Sequence, residues 1–437
     1  MKINADFEKR IGKIKPFHAI NNAPILGTND MMFHYLGEAG IPFSRLHDTG
    51  GAYGQFRFVD IENIFRDFSK DPEDPASYDF AFTDWLLLEL QKQKCEIFYR
   101  LGATIENSSD IKAYRIFPPK DNLKWAKICE GIIKHYNHGW ANGYYMGIKY
   151  WEIWNEPDNE PIKEKNHMWQ GTKEEYFELY EVASNYLKSK FPDIKIGGYA
   201  SCGFYALHEE AVNREANASA RKEYFIEFFH DFMKYISSDE HKSPLDFFSW
   251  HSYEKTENGY KSALYAREQL DKYGFTETES ILNEWNAGTA RRGEESDACF
   301  ITERICKLHA APLDMLMYYD GQVHGSYQGL FDPVKYEPFP AYYAMAAFNE
   351  LYKLGCEASC ANDSGIPMLA ATDGNIGKIF IPNPSDATVN ITLELPNGWE
   401  ATELRVLDGK RGLVAQDTSA GYTLAPFKIC IIECKRA

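Results

Sequence analysis

Two glutamates occupy matching contexts 128 residues apart. Tyr150-Trp151-Glu152-Ile153-Trp154 is an apolar, aromatic-rich run that stops at Asn155-Glu156-Pro157. Proline removes a ladder donor and ends the strand, so Asn155 and Glu156 fall at its C-terminal tip. Ile281-Leu282-Asn283-Glu284-Trp285-Asn286 reads as a second strand with Glu284 at its tip. A carboxyl among apolar groups has its pKa raised easily, and two neighbouring carboxyls drive their pKa values apart. One then serves as an acid and the other as a charged nucleophile. Set about 5–5.5 Å apart, such a pair cleaves a glycosidic bond in two displacements, with net retention. A single Glu at a strand end is more often a surface or ion-paired residue. Two such tips in agreement favour chemistry.

The elements that must position these tips alternate along the chain. Short apolar runs at His18–Asn21, Phe43–His47, Glu96–Leu101, Tyr150–Asn155, Ile194–Tyr199, Asp246–His251, Ser280–Glu284 and Met315–Tyr319 read as eight strands. Helix-periodic segments lie between them, among them Leu123–His138, Lys173–Lys190 and Asp297–His309, and Ala341–Tyr352 follows the last strand. Eight alternations predict an α/β fold, a (β/α)8 TIM barrel over 13–353, with Glu156 and Glu284 at the fourth and seventh strand ends of one face. A doubly wound sheet is the rival, but no Gly-rich phosphate turn follows the first strand. Residues 354–437 carry no convincing helix. Strand-like runs punctuated by Pro382-Asn383-Pro384, Pro396-Asn397-Gly398 and Asp408-Gly409 predict a small C-terminal antiparallel β-sandwich, completed by 1–12. Whether it binds carbohydrate or braces the barrel is open, with bracing preferred.

The net charge of −17 disfavours a nucleic-acid or anionic-membrane partner. An aromatic share of 15% suits a cleft that stacks on sugars, although core packing accounts for most of it. No apolar run reaches transmembrane length, and Met1–Asp6 lacks a signal-peptide core. The expected location is cytoplasmic, with a trimmed leader left open. Nine scattered cysteines without a C-x-x-C pair argue for free thiols rather than a disulfide framework or a zinc ribbon. No H-E-x-x-H, Walker loop or G-x-S-x-G elbow is present, so neither metal nor cofactor is expected.

In its motifs the chain resembles glycoside hydrolase clan A, and within it family 39, which holds β-xylosidases and α-L-iduronidases. Trp154-Asn155-Glu156-Pro157 resembles the acid/base motif and Leu282-Asn283-Glu284-Trp285-Asn286 the nucleophile motif. Phe43-Ser44-Arg45-Leu46-His47-Asp48 and Phe248-Ser249-Trp250-His251-Ser252-Tyr253 resemble the second- and sixth-strand motifs. The resemblance implies a retaining exo-glycosidase, first a β-D-xylosidase, acting on an oligosaccharide or small glycoside. α-L-Arabinofuranosidase is the alternative, and a non-catalytic carbohydrate-binding barrel is the rival of another class. It implies Glu156 as acid/base and Glu284 as nucleophile. Asn155 would hold the hydroxyl beside the anomeric carbon, and Arg45 would lie beneath the nucleophile and keep it ionised. His47 would contact a sugar hydroxyl. Of His251 and Tyr253, Tyr253 is preferred as the group that orients Glu284. Trp285 would wall the pocket.

One departure stands out. The clan often brings a Trp to the sugar face on the eighth strand, where this chain has Tyr318-Tyr319-Asp320-Gly321. Either Tyr319 stacks in its place or the floor is reshaped, and Asp320–Gln328, with Gly321, His324, Gly325 and Tyr327, is read as a substrate loop, the alternative being that its glycines are only turn residues. Asp48-Thr49-Gly50 is the aspartic-protease triplet, but it occurs once and in an α/β pattern. Arg291-Arg292, after the nucleophile strand, is either a solvated pair or a contact for an acidic sugar. Oligomeric state is open, a homo-oligomer being allowed.

Overall fold

The computed structural model describes all residues but 50–58, 106–115, 209–215, 324–328, 410 and 420, and the side chains of 216–219 are also left aside. After β1 (Lys2–Lys13) come β2 (Ala19–Asn21), β3 (Phe43–Leu46), β4 (Glu96–Leu101), β5 (Tyr150–Ile153), β6 (Lys195–Ser201), β7 (Phe247–His251), β8 (Glu279–Trp285) and β9 (Met315–Tyr318). These last eight close into a parallel barrel in chain order, and β9 returns to β2 through Ala19↔Met317 and Ile20↔Tyr318. The eight strands expected from the sequence are therefore all present.

The helices between them include α3 (Ala81–Lys92), α4 (Asn122–His138), α5 (Lys173–Lys190), α6 (Ala216–Ser237), α7 (Thr256–Lys272), α8 (Glu295–His309) and α9 (Pro340–Leu354), with short α1 (His34–Glu38) and α2 (Ile61–Ile64) earlier. Their ends are written in the sequence. The Asp121 side chain caps α4, and Gly139 ends it in the left-handed conformation at φ 71°. Thr172 and Glu175 form a reciprocal capping box on α5.

Inside the barrel, side chains alternate with period two. Ala19, Phe98, Tyr150, Phe247, Ile281, Met315 and Met317, with Phe43 partly buried beside them, form an apolar floor. Phe98 stacks on Tyr150 and meets Phe247 edge-on, each at 5.1 Å between centroids. Two residues further along the same strands stand Asn21, Arg45, Arg100, Glu152, Ser249 and Asn283, all buried. The barrel turns from apolar to polar in one layer.

The C-terminal strands β10 (Cys356–Asn362), β11 (Leu369–Thr372), β12 (Ile376–Pro382), β13 (Val389–Glu394), β14 (Trp399–Asp408), β15 (Gly412–Ala415), β16 (Tyr422–Leu424) and β17 (Ile429–Arg436) join β1 in one nine-stranded sheet. Its order is β15-β14-β17-β12-β11-β10-β1-β13-β16. Its pairs are antiparallel except β1 with β13, which is parallel. Ile391 of β13 and Leu424 of β16 share a core with Leu404 of β14 and Ile432 of β17. Trp399 of β14 also packs on Phe7 of β1 at 4.7 Å between centroids, so strands far apart in the order meet as the sheet folds over itself. Its other face, with Phe380, Leu407, Ile429 and Ile431, belongs to the main core of the barrel. Arg405 reaches Glu350 of α9 at 2.6 Å across this junction. Among the described residues, no helix is long and apolar enough to cross a membrane.

Candidate active site

The tip of β5 is built under strain. Trp154 and Glu156, on either side of Asn155, have φ of 72° and 46°, in the left-handed region that side chains avoid. Neighbouring elements hold them there. The Trp154 backbone N–H donates to Leu101 O at 2.7 Å, its indole N–H to Met168 O at 2.8 Å, and the Glu156 N–H to Ala200 O at 3.1 Å. Gly102 lies so close that a Cβ there would stand 2.9 Å from the Trp154 ring. The effect is to turn Glu156 inward over the barrel.

Across the mouth stands Glu284. Arg45 Nη1 donates to its Oε1 at 2.8 Å and the Tyr253 hydroxyl donates to its Oε2 at 2.7 Å. With one donor on each oxygen, the carboxylate cannot rotate. An oxygen of Glu156 and an oxygen of Glu284 lie within 4.8 Å of each other. His251 stands between them, with Nδ1 2.7 Å from Glu156 Oε1 and 3.5 Å from Glu284 Oε2. Asn159 donates to the other Glu156 oxygen at 2.8 Å.

Burial works against charge on both members of the His251–Glu156 pair, but the pairing prevails. The Glu284 charge and the Glu156 hydrogen bond raise the imidazole pKa above its ordinary value. The same hydrogen bond carries Glu156 below the usual carboxylate range. In the free protein the proton of this pair therefore rests mainly on the imidazole.

Beneath lies a buried network centred on Arg45. Its Nη2 donates to Asn155 Oδ1 at 2.5 Å, its Nη1 also to Asn21 Oδ1 at 2.9 Å, and its Nε to Glu152 Oε2 at 2.7 Å. Burial opposes the guanidinium charge, and Glu152 and Glu284 more than restore it. Glu152 Oε1 accepts from Ser249 Oγ and Asn283 Nδ2, each at 2.6 Å. Glu152 was not among the sequence candidates, although a signal existed. A glutamate in an otherwise apolar strand must be paired, and its position two residues beyond Tyr150 aims it into the barrel. Asp158 was also missed. It accepts from Ser201 Oγ at 2.8 Å and from the Cys202 N–H, and burial plus the nearby Glu156 charge push its pKa up to about 7.

Of the expected site residues, Asn155, Arg45, His251, Tyr253, Glu156 and Glu284 come together in this cluster. His47 lies beside it, buried, with Nε2 3.3 Å from Asp48 Oδ1. Burial first, then the Arg45, Arg100 and His251 charges, keep its imidazole neutral. Tyr319 is largely buried and donates from its hydroxyl to Asp48 Oδ2 at 2.9 Å. Trp285 requires a correction. It is wholly buried, lies under the Arg304 guanidinium at 5.5 Å and meets Tyr318 edge-on. With no exposed surface, its ring cannot wall a pocket. Arg292 of the basic pair donates to the Tyr318 hydroxyl and lies 3.9 Å from Asp297 of α8. Within the expected substrate loop, residues 324–328 lie outside the described residues, as does Gly50 of the Asp-Thr-Gly triplet.

Among the described residues, Glu156, His251 and Glu284 have the spacing of metal ligands. Their donor atoms are already engaged with one another, with Arg45 and with Tyr253. What the arrangement can do is hold two carboxyls on opposite sides of a small acetal, one fixed by two donors and one hydrogen-bonded to a proton-bearing imidazole.

Comparison with known proteins agrees with this geometry. A β-xylosidase of Geobacillus stearothermophilus is 24% identical over 220 residues, which is 48% of this chain and 38% of that protein. One of Caldicellulosiruptor saccharolyticus is 26% identical over 218 residues, 46% of this chain and 40% of that protein. The match thus spans about two fifths of the length of these curated relatives. A solved glucosidase from Croceicoccus marinus shares the fold with a TM-score of 0.78 at 19% identity, over 100% of this chain and 99% of that one. A monomeric β-xylosidase from Caulobacter crescentus does so with 0.68 at 16%, again over 100% and 99%. The family model for glycosyl hydrolases family 39 matches residues 52–286. That stretch is just over half of the 437 residues and contains both glutamate tips, so the chain belongs to glycosyl hydrolase family 39.

Proposed function

We propose that this protein is a retaining, exo-acting glycoside hydrolase that releases a non-reducing-end sugar, with a β-D-xyloside as its first substrate. The observation that carries the reading is the 4.8 Å limit on the distance between Glu156 and Glu284 oxygens. A retaining pair stands about 5–5.5 Å apart, whereas an inverting pair needs about 6.5–9.5 Å to admit a water molecule. Glu284 attacks the anomeric carbon while Glu156 protonates the leaving oxygen, giving a sugar ester on Glu284. Glu156 then deprotonates a water, which displaces Glu284 and releases the sugar with net retention.

The acid step needs its proton on Glu156. A bound glycoside strips water from that carboxyl, and burial is the influence that pushes its pKa up. Substrate binding therefore moves the proton along the 2.7 Å bond from His251 to Glu156. Asn155, held by Arg45, is placed for the hydroxyl beside the anomeric carbon.

The sugar is argued from the relatives, which bear β-xylosidase names. The glucosidase that spans the whole chain makes a β-D-glucoside the second sugar to try. α-L-Arabinofuranosides remain the alternative within the clan. Initial rates on p-nitrophenyl glycosides of xylose, glucose, arabinose and galactose test the reading, with Glu284→Ala as control. One sugar should dominate, and the variant should lose about 10⁴-fold or more in kcat, as expected on removing a covalent nucleophile. Azide should restore turnover as the glycosyl azide of inverted configuration. Undiminished activity in Glu284→Ala would remove it from the mechanism. Glu156→Ala should spare phenol leaving groups and lose natural glycosides, since only the latter need the acid. Equal losses on both would count against its role.

A further inference from the structure

We infer that Asp48 is a hydroxyl-binding residue of the sugar pocket and that it selects neutral sugars over uronides. The inference rests on the glycosidase reading above and specifies its substrate class.

Asp48 follows β3 with φ of 56°. Its Oδ2 accepts from the Tyr319 hydroxyl at 2.9 Å, and the Gln322 side-chain amide donates to its backbone carbonyl. Contacts from beyond β9 therefore fix both the side chain and the backbone. Oδ1 is different. It is buried and has no hydrogen-bond partner among the described residues. His47, only 3% exposed, lies 3.3 Å away at Nε2 and has its own Nδ1 unpartnered. The Tyr319 N–H donates to Trp285 O at 3.0 Å, one residue beyond Glu284, so this pair borders the reacting centre. A buried acceptor with no donor costs about 1–3 kcal/mol. Such an oxygen, rigidly held beside the nucleophile, is matched by a donor on the bound molecule.

A sugar hydroxyl is that donor. It gives a proton to Oδ1 and can accept one from the neutral His47 imidazole. A uronide offers the same ring hydroxyls but adds a carboxylate on C5, and above the raised Asp48 pKa of about 7 that charge meets a second carboxylate in the pocket. Most of the nearby cationic charge is committed to other groups. Arg45 is committed to Glu152, Glu284, Asn155 and Asn21. Arg100 pairs with Asp60 at 2.6 Å. Arg292, which could meet an acidic sugar on the sequence reading, donates from Nη1 to the Tyr318 hydroxyl, while its buried Nε and Nη2 have no hydrogen-bond partner among the described residues.

The test compares kcat/KM at pH 8, above the raised pKa of Asp48, on the best neutral p-nitrophenyl glycoside and on p-nitrophenyl β-D-glucuronide, for the parent and Asp48→Asn. The variant should lose about 10–100-fold on the neutral sugar, the range for a hydrogen bond to a charged group. It should lose less on the glucuronide, where relief of the charge repulsion offsets the lost hydrogen bond, so that the selectivity ratio falls by about threefold or more. A second measurement does not depend on the variant folding: monodeoxy glycosides are run on the parent enzyme. One deoxy position should lose a similar factor, and Asp48→Asn should show no further loss at that position. An unchanged ratio in an active variant would overturn the assignment of Asp48 alone. So would a parent that tolerates every deoxy position within about threefold. A parent silent on all glycosides would overturn the glycosidase reading and this inference together.

Discussion

The same eight strands build two unlike ends of one barrel. At the floor, Phe98, Tyr150, Phe247, Ile281 and Met317 fill the interior with apolar and aromatic side chains. Two residues later Arg45, Glu152, Ser249 and Asn283 occupy it with charge and hydrogen bonds. Above them stand Glu156 and Glu284, one of them on strained backbone. The floor gains from burial and needs no partners. The polar layer gains nothing from burial unless every charge is matched, and breaking one match is expensive. Stability is thus concentrated at one end of the strands and function at the other, a division that barrels of this kind share.

If the division is real, a floor substitution should destabilise without touching chemistry. Phe98→Ala removes a ring from the stack with Tyr150 and the edge contact with Phe247. It should lower the stability of the folded chain by about 3–5 kcal/mol. Well below the transition, kcat/KM should stay within about threefold of the parent. Thermal unfolding and steady-state rates on the same preparation check both. A large loss of kcat/KM in still-folded protein would join the floor to the site.

Glu152→Gln makes the converse test. The amide keeps the shape and can still accept from Ser249 or Asn283, but the Arg45 charge then falls on Glu284 alone. A nucleophile held by an unshared guanidinium is less reactive. kcat should fall about 100-fold, or about 2.7 kcal/mol, with KM changed far less. Glu152 touches no substrate in this geometry, so it acts as a positioning residue. An equal loss in KM, or a Tm drop that accounts for the lost rate, would make its role structural.

Both ends were partly legible in the sequence. The eight strands could be read because each is a short apolar run bounded by turn residues, and the floor residues are those runs. The two glutamate tips could be read because proline and tryptophan mark where the strands stop. Glu152 was hidden by its own run, since an apolar count over Tyr150–Trp154 passes over one charge. Tyr253 was readable as the preferred partner of Glu284, and its hydroxyl does donate there, whereas His251 at Glu156 could not be assigned from sequence, because its target depends on how the backbone turns at the end of β7. Trp285 failed for a related reason. The register of β7 with β8 and of β8 with β9 shifts by a bulge near Glu284, and strict alternation stops predicting which side chain faces the mouth. β10, β11, β15 and β16 went unread in the accessory sheet. β15 and β16 are short and partly exposed, β11 is buried but only four residues long, and β10 carries small and polar residues with little apolar patterning.

A buried acid outside the mouth separates function from mere burial. Asp297, near the start of α8, is wholly buried, and neither carboxyl oxygen has a hydrogen-bond partner among the described residues. Burial pushes its pKa up to about 7, with Arg292 pulling the other way. Asp48 is raised to the same level by burial and by the Glu284 charge, yet it borders the reacting centre and Asp297 does not. A folded pKa above the unfolded one means that stability is full below pH 3.8 and is lost as pH rises to about 7, where the loss levels off. An asparagine carries no such penalty. Asp297→Asn should therefore unfold higher than the parent, by about 2 °C or more at pH 8. The gap should widen from pH 4 to pH 7 and stay flat above, with kcat/KM within about twofold throughout. Calorimetry across that range, alongside rates at each pH, checks the sign. A gap that narrowed with rising pH would mean that Asp297 is stabilised as an anion by Arg292. Its burial would then be a matched charge like that of Glu152 rather than an unmatched one.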